Sequence, residues 1–213
     1  MYNINDIHNI IEFIVRKERG IFLTIDEIDL MLDKAQLECI NFWFEEYGKT
    51  QVIHDALQQI KVTNYQFTSN GGGQVNFQSN YLHLLAGVYT VTGSTVNKVR
   101  FVQTDELPDA LTAQLRKVST SNPIAIDTAS GFQLYPQSVQ IGFYSYIRRP
   151  NKPVFGYTQV GRVITYDPNT STQLEWSDIY VNKIIAKSLA YYGINMDEDK
   201  LVQFSMMEDK KNS

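Results

Sequence analysis

The hydrophobic period of this chain changes twice along its length, and those two changes constrain the fold more than any single motif. Up to residue 61 apolar side chains recur at helical spacing, with Ile7, Ile10, Ile11 and Ile14 on one stripe. From Val62 to Tyr166 the chain is rich in β-branched and aromatic residues, broken by Gly, Asn, Ser and Pro. Helical spacing then returns with Val181, Ile185, Leu189 and Tyr192. The pattern predicts an α+β fold: N-terminal helices over 1–61, a central antiparallel β-rich module over 62–166 and C-terminal helices over 167–213, packed together as one compact domain.

Local signals place the helix ends. Asn5 or Asp6 is expected to cap the first helix and Gly20 to stop it. The run "TIDE" is a capping box, Thr24 with Glu27, opening a helix from Ile25 to Tyr47 that ends at Gly48. Its apolar stripe is Ile28, Met31, Leu32, Ala35, Cys39, Phe42 and Trp43. Thr50 begins a shorter helix with Ile53, Leu57 and Ile60 inward. Thr172 with Glu175 repeats the capping-box pattern before the C-terminal helix, which Gly193 ends. A last short helix is expected after Asn195, carrying Leu201, Val202 and Phe204.

Between the helices the spacing predicts strands at 62–68, 82–91, 97–103, 123–127, 132–135, 138–148, 154–158 and 162–166, with one short helix in "DELPDALTAQL". Alternation over 138–147 puts Val139, Ile141, Phe143 and Ile147 on the inner face, and Gln140, Tyr144 and Tyr146 on the outer one.

Charge and cysteine content exclude several classes. A net charge of −4 disfavours general polyphosphate affinity. Cys39 is the only cysteine, so one chain builds neither a disulfide framework nor a cysteine zinc site, and the thiol is expected to be buried and inert. The N-terminus lacks the pattern of a signal peptide, and no apolar run is long enough to span a membrane.

The candidate chemistry is sparse. "SNGGGQV" lacks the Lys and Ser/Thr of a phosphate-binding loop and opens no helix, so it reads as a turn or exposed loop. His8, His54 and His83 form no helical metal pair and read as surface or packing residues. Asp26, Asp29 and Asp33 share a helix face, which reads as acidic and solvated. "MDEDK" lacks the alternating oxygens and central Gly of a calcium loop. Neither a cofactor site nor a metal site is expected, and no nucleophile motif supports a hydrolase.

The stretch "YSYIRRPNKPVFGY" sets three positive charges among aromatics and prolines. Pro150 and Pro153 are expected to bracket a hairpin tip carrying Arg148, Arg149 and Lys152, which meets an acidic surface on a neighbouring subunit. Tyr144, Tyr146 and Tyr157 are expected to be exposed interface anchors beside it.

From Ser121 onward the order of motifs resembles virion structural proteins of crAss-like phages and related phages of Bacteroidetes hosts. The matching features are "NPIA", the "YP" before a strand, "YIRRPNKP", an acidic-Trp helix start at Glu175 and Trp176, and a helix ending in aromatic-Gly. "NYLHLLAGV" also fits, so the resemblance covers residues 80–207. It implies a head–tail connector without enzymatic activity: a homo-oligomeric cyclic ring in the virion neck, made in the host cytoplasm. Its expected partners are the portal and other neck or tail proteins, with genomic DNA passing through the channel without specific binding and no membrane contact. Tyr144, Tyr146, Arg148, Arg149, Lys152, Tyr157 and Trp176 are the expected interaction residues. The alternative reading is a tail-associated carbohydrate-binding or adhesin module, which the aromatics and the β-rich centre allow.

Overall fold

The computed structural model describes residues 2–85 and 87–194. In chain order these form α1 (Ile4–Arg19), α2 (Ile25–Glu45), α3 (Gln51–Gln58), β1 (Lys61–Thr68), β2 (Gln74–Asn76), β3 (Tyr81–Leu84), β4 (Tyr89–Thr92), β5 (Thr95–Lys98), β6 (Arg100–Phe101), α4 (Leu107–Thr112), β7 (Ile124–Thr128), β8 (Gly131–Tyr135), β9 (Ile141–Arg148), β10 (Tyr157–Val160), β11 (Val163–Tyr166) and α5 (Asp178–Tyr191). The fold is α+β, with helices at both ends and strands that pair antiparallel except β6 with β7. The helix expected over Asn195–Phe204 and the "MDEDK" run lie outside the described residues.

The chain divides into two compact units. One comprises residues 1–59 and 150–213, the other residues 60–149. The two terminal helical regions therefore belong to one unit. Residues 150–166 go with the helices rather than with the β module, so the second boundary falls at 149/150 and not at 166/167.

In the helical unit, local chemistry sets most of the helix ends. Asn3, not Asn5 or Asp6, caps α1, and Asp6 closes the reciprocal capping box. Gly20 ends α1 in the left-handed region and donates its N–H to the Arg16 carbonyl. Thr24 and Glu27 form the capping box of α2. The pair Thr172 and Glu175 does not start α5: the N-cap is Ser177. Thr172 is drawn instead into an antiparallel bridge with Val154, and Glu175 accepts hydrogen bonds from the Asn151 amide and side chain. Two long-range partners thus override a local helix signal.

The buried face of α2 also differs from the apolar stripe. Ile28, Leu32, Ala35 and Trp43 are buried, but so are Asp29, Asp33 and Gln36, while Phe42 is exposed and Cys39 half-buried. A polar row at 29, 33 and 36 runs down one helix face. Its reason lies in the segment that returns after Arg149, which has backbone groups but few sheet partners. The Phe155 N–H donates to Asp29 at 3.0 and 3.2 Å, and the Gln36 side chain donates to the Asn151 carbonyl at 3.2 Å. The Trp176 indole donates to Gln36 Oε1 at 3.2 Å.

In the β unit, β9 is the central strand. β1 pairs along one side of it, while β3 and β4 pair with successive stretches of it and β5 follows β4. A second sheet has the order β2-β8-β7-β6. "SNGGGQV" is a tight turn into β2, with the Asn70 carboxamide oxygen accepting the Gly72 and Gln74 N–H groups. The two sheets share one core, in which Phe67, Tyr144 and Tyr146 meet Val75, Phe132 and Leu134. Ring pairs cross between the sheets, Phe67 to Phe132 at 5.5 Å and Phe132 to Tyr144 at 6.1 Å.

That core reverses part of the face assignment for β9. Val139 and Ile147 are buried as expected, but Tyr144 and Tyr146 are buried too, while Ile141 is exposed and Phe143 half-buried. Tyrosine carries a large apolar ring, and here the second sheet supplies aromatic partners for it. Phe143 stacks on Tyr89 of the adjacent strand, centroids 5.4 Å apart. Gly142 makes the arrangement possible, because a Cβ there would stand 2.4 Å from the Phe67 ring and 2.2 Å from the Tyr89 carbonyl.

Burial, with neighbouring phenols adding to it, pushes the Tyr144 pKa from the ordinary 10.0 to about 12. The folded chain then holds that proton after the unfolded chain has released it. This contribution to stability is complete below pH 10 and is lost as pH rises toward about 12. Denaturant melts across that window should show the β unit weakening, with the loss reduced in Tyr144→Phe. An equal alkaline loss in both proteins would show that Tyr144 does not carry it.

Candidate functional site

The stretch "YSYIRRPNKPVFGY" is not a hairpin. β9 ends at Arg148, and residues 149–156 form no strand paired with it. The prolines instead mark the crossing from one unit to the other, so Arg148 and Arg149 belong to the β unit and Lys152 and Tyr157 to the helical unit. The hairpin that does form is β10 with β11, beginning where the expected one was to end. The physical cause is the set of anchors just described: Asn151 to Glu175 and Gln36, Val154 to Thr172, and Phe155 to Asp29. Gly156 completes them, since a Cβ there would fall 2.2 Å from the Thr170 hydroxyl.

The expected interaction residues are thereby separated. Tyr144 and Tyr146 are buried in the core of the β unit, and the Tyr146 hydroxyl donates to Asn80 at 3.1 Å. Trp176 is fully buried in the helical unit, edge-on to Trp43 with centroids 5.2 Å apart. Tyr144 and Tyr146 are therefore not the exposed anchors expected of them, and Trp176, expected as an interaction residue, is likewise enclosed by its own unit. Arg149, Lys152 and Tyr157 are exposed and Arg148 is partly so. The backbone N–H groups of Arg148 and Arg149 are tied to the Ile60 and Asn80 carbonyls.

A different set of residues converges in the helical unit. A groove of about 590 Å³ lies between α1, the start of α2 and the β10–β11 hairpin. Asn5, Asn9 and Glu12 line it from one face of α1, at the helical spacing i, i+4, i+7. Asp26 lines it from α2, and Phe155, Tyr157 and Tyr166 form its aromatic side. Phe155 ties this side together, with its ring 5.2 Å from Tyr166 and 4.6 Å from His8.

At the groove's edge, the buried His8 imidazole places Nε2 2.8 Å from Asp29 Oδ1. A carboxylate only accepts, so His8 donates here. Asp29 therefore holds α1 through His8 and the 150–157 segment through Phe155 at once. The expectation of a solvated acidic face on α2 is corrected accordingly: Asp26 is exposed, but Asp29 and Asp33 are buried, and Asp33 accepts from Gln36 at 2.9 Å. His8 is a packing residue, as one of the two sequence readings allowed. Sequence reading missed the groove because Asn5, Asn9 and Glu12 form an ordinary polar helix face until the hairpin is placed opposite them.

The described residues include no helix long and apolar enough to cross a membrane, and no group of three or more His, Cys, Asp or Glu side chains arranged to hold a metal. No protein-family model matches the chain, and no curated protein is significantly similar to it.

Proposed function

We propose that this chain is a structural subunit of a phage neck, one copy in a cyclic ring that bridges the portal vertex and the tail. The observation that carries the reading is the apolar surface of the helical unit. Phe22 is 67% exposed, Val160 80%, Val163 65% and Ile179 67%. They sit on the α1–α2 connection, the β10–β11 hairpin and α5, so the exposure is spread over several elements. In a ring, neighbouring copies would cover such residues at more than one contact. A heterologous contact, in which one patch of a copy meets a different patch of the next, generates a ring when the rotation closes and is suited to such a distribution.

Two further features support this reading. The motif order from Ser121 onward resembles virion structural proteins of crAss-like phages, which implies a connector role, and the net charge of −4 suits a channel wall along which DNA slides without being held. The β10–β11 hairpin also stands alone as a two-stranded sheet, a form that gains stability when it packs against something else. The test is to locate the chain in purified virions by particle imaging, with mass spectrometry to identify it. A ring of this chain at the neck is expected. Its absence from purified particles would sink the proposal.

A further inference from the structure

We infer that the groove between α1, α2 and the β10–β11 hairpin is a binding site for a neutral saccharide. Its geometry does not depend on the neck reading, and the inference stands whether the chain sits in the neck or on the tail. The argument is one of matching donors, acceptors and apolar faces.

The polar lining is mixed in kind. Asn5 and Asn9 each offer a donor pair and an acceptor, Glu12 and Asp26 offer acceptors, and Tyr157 offers a hydroxyl that does both. No side-chain hydrogen bond joins Asn5, Asn9, Glu12 or Asp26 to another described residue, so this capacity is available to a ligand. The deeper His8–Asp29 pair is by contrast satisfied internally, through the Phe155 N–H.

Ligand classes can be compared against that lining. Among the described residues no Lys or Arg lines the groove, and two carboxylates do, so a phosphate or other anion would be repelled. An ammonium or guanidinium group only donates, and would leave the amide donors of Asn5 and Asn9 without acceptors. A wholly apolar ligand would desolvate the carboxylates with nothing in return. A sugar hydroxyl donates and accepts at one atom, and therefore satisfies amides and carboxylates side by side. The aromatic side suits the same ligand. Phe155, Tyr157 and Tyr166 supply apolar ring surface for the C–H face of a pyranose, and Tyr157 is 42% exposed. A volume of about 590 Å³ lies within the ordinary range of small-ligand sites.

The test is an array of neutral hexose and N-acetylhexosamine oligosaccharides, with sialylated and sulfated glycans as anionic probes and an oligolysine peptide as the cationic one. It is probed with the full chain. Retention of neutral glycans is expected, weakened about tenfold or more by Tyr157→Ala and by Asn9→Ala. Thr158→Ala, on the same hairpin but outside the lining, should leave it unchanged. Far-ultraviolet circular dichroism shows that each variant is folded. Three results would overturn the inference: no neutral glycan retained by the folded chain, retention that is indifferent to both groove variants, or preferential retention of oligolysine. Failure here would leave the neck proposal standing, and absence of the chain from virion necks would leave this site standing.

Discussion

Replacing Trp176 with alanine should lower the stability of the helical unit by about 3–5 kcal/mol, the usual cost of truncating a large buried aromatic. The side chain is completely enclosed, and its indole N–H is used by Gln36. Trp43, which lies edge-on to Trp176, also packs against Tyr180 with centroids 5.4 Å apart, so the cavity would open at the junction of α2, α5 and the 150–177 segment. Trp176→Phe should cost less, since it keeps most of the ring but leaves the Gln36 oxygen without that donor. Chemical denaturation of both variants gives the ranking. A loss below about 1 kcal/mol in Trp176→Ala would mean that the site collapses freely. Loss of assembly with unchanged stability would return Trp176 to the role of an interaction residue. The observed burial predicts the opposite order of effects, with stability failing first.

How far the fold was legible depends on how near each residue's partners lie in sequence. The capping box of Thr24 and Glu27 and the stop at Gly20 are decided within one helical turn, and they appear where the sequence places them. Thr172 and Glu175 carry the same local signal, yet Thr172 bridges to Val154 and the Glu175 side chain accepts from Asn151. β9 was recognisable as a strand, but which face it buries depends on Phe132 and Val75 of the second sheet. Tyr144 and Tyr146 were therefore read outward while their rings are buried. The α2 row of Asp29, Asp33 and Gln36 is a further case. Its partners Phe155 and Trp176 lie 126 and 140 residues from Asp29 and Gln36, respectively. No helical periodicity can show that a polar face is buried when its partner is a distant loop. The same reason hides the groove, whose walls come from α1, from residues 23–28 at the start of α2, and from Phe155 with the β10–β11 hairpin.

Asp29→Ala should be as damaging as the loss of Trp176, by a different route. The carboxylate is buried and serves two donors on two other segments, the His8 imidazole and the Phe155 amide. A buried donor left without its acceptor costs about 1–3 kcal/mol, and Asp29→Ala strands two of them, the His8 imidazole and the Phe155 N–H. Asp29→Asn retains a carbonyl acceptor for one donor and should recover part of that loss. Amide hydrogen exchange separates this clamp from general packing: at a denaturant concentration where the unit is still folded, Phe155 should lose protection in Asp29→Ala more than the amides of α5 do. A double-mutant cycle with His8→Ala isolates the His8 share, and a coupling near zero would show that Asp29 acts through Phe155 alone. The consequence reaches the groove, since Phe155 leads directly into Tyr157 and β10. If the aromatic side of the groove is positioned by this amide, neutral-glycan retention should fall in Asp29→Ala and be partly restored in Asp29→Asn, although Asp29 itself is absent from the groove lining. Unaltered retention together with the lost Phe155 protection would show that Tyr157 is held by the β10–β11 pairing and not by the clamp.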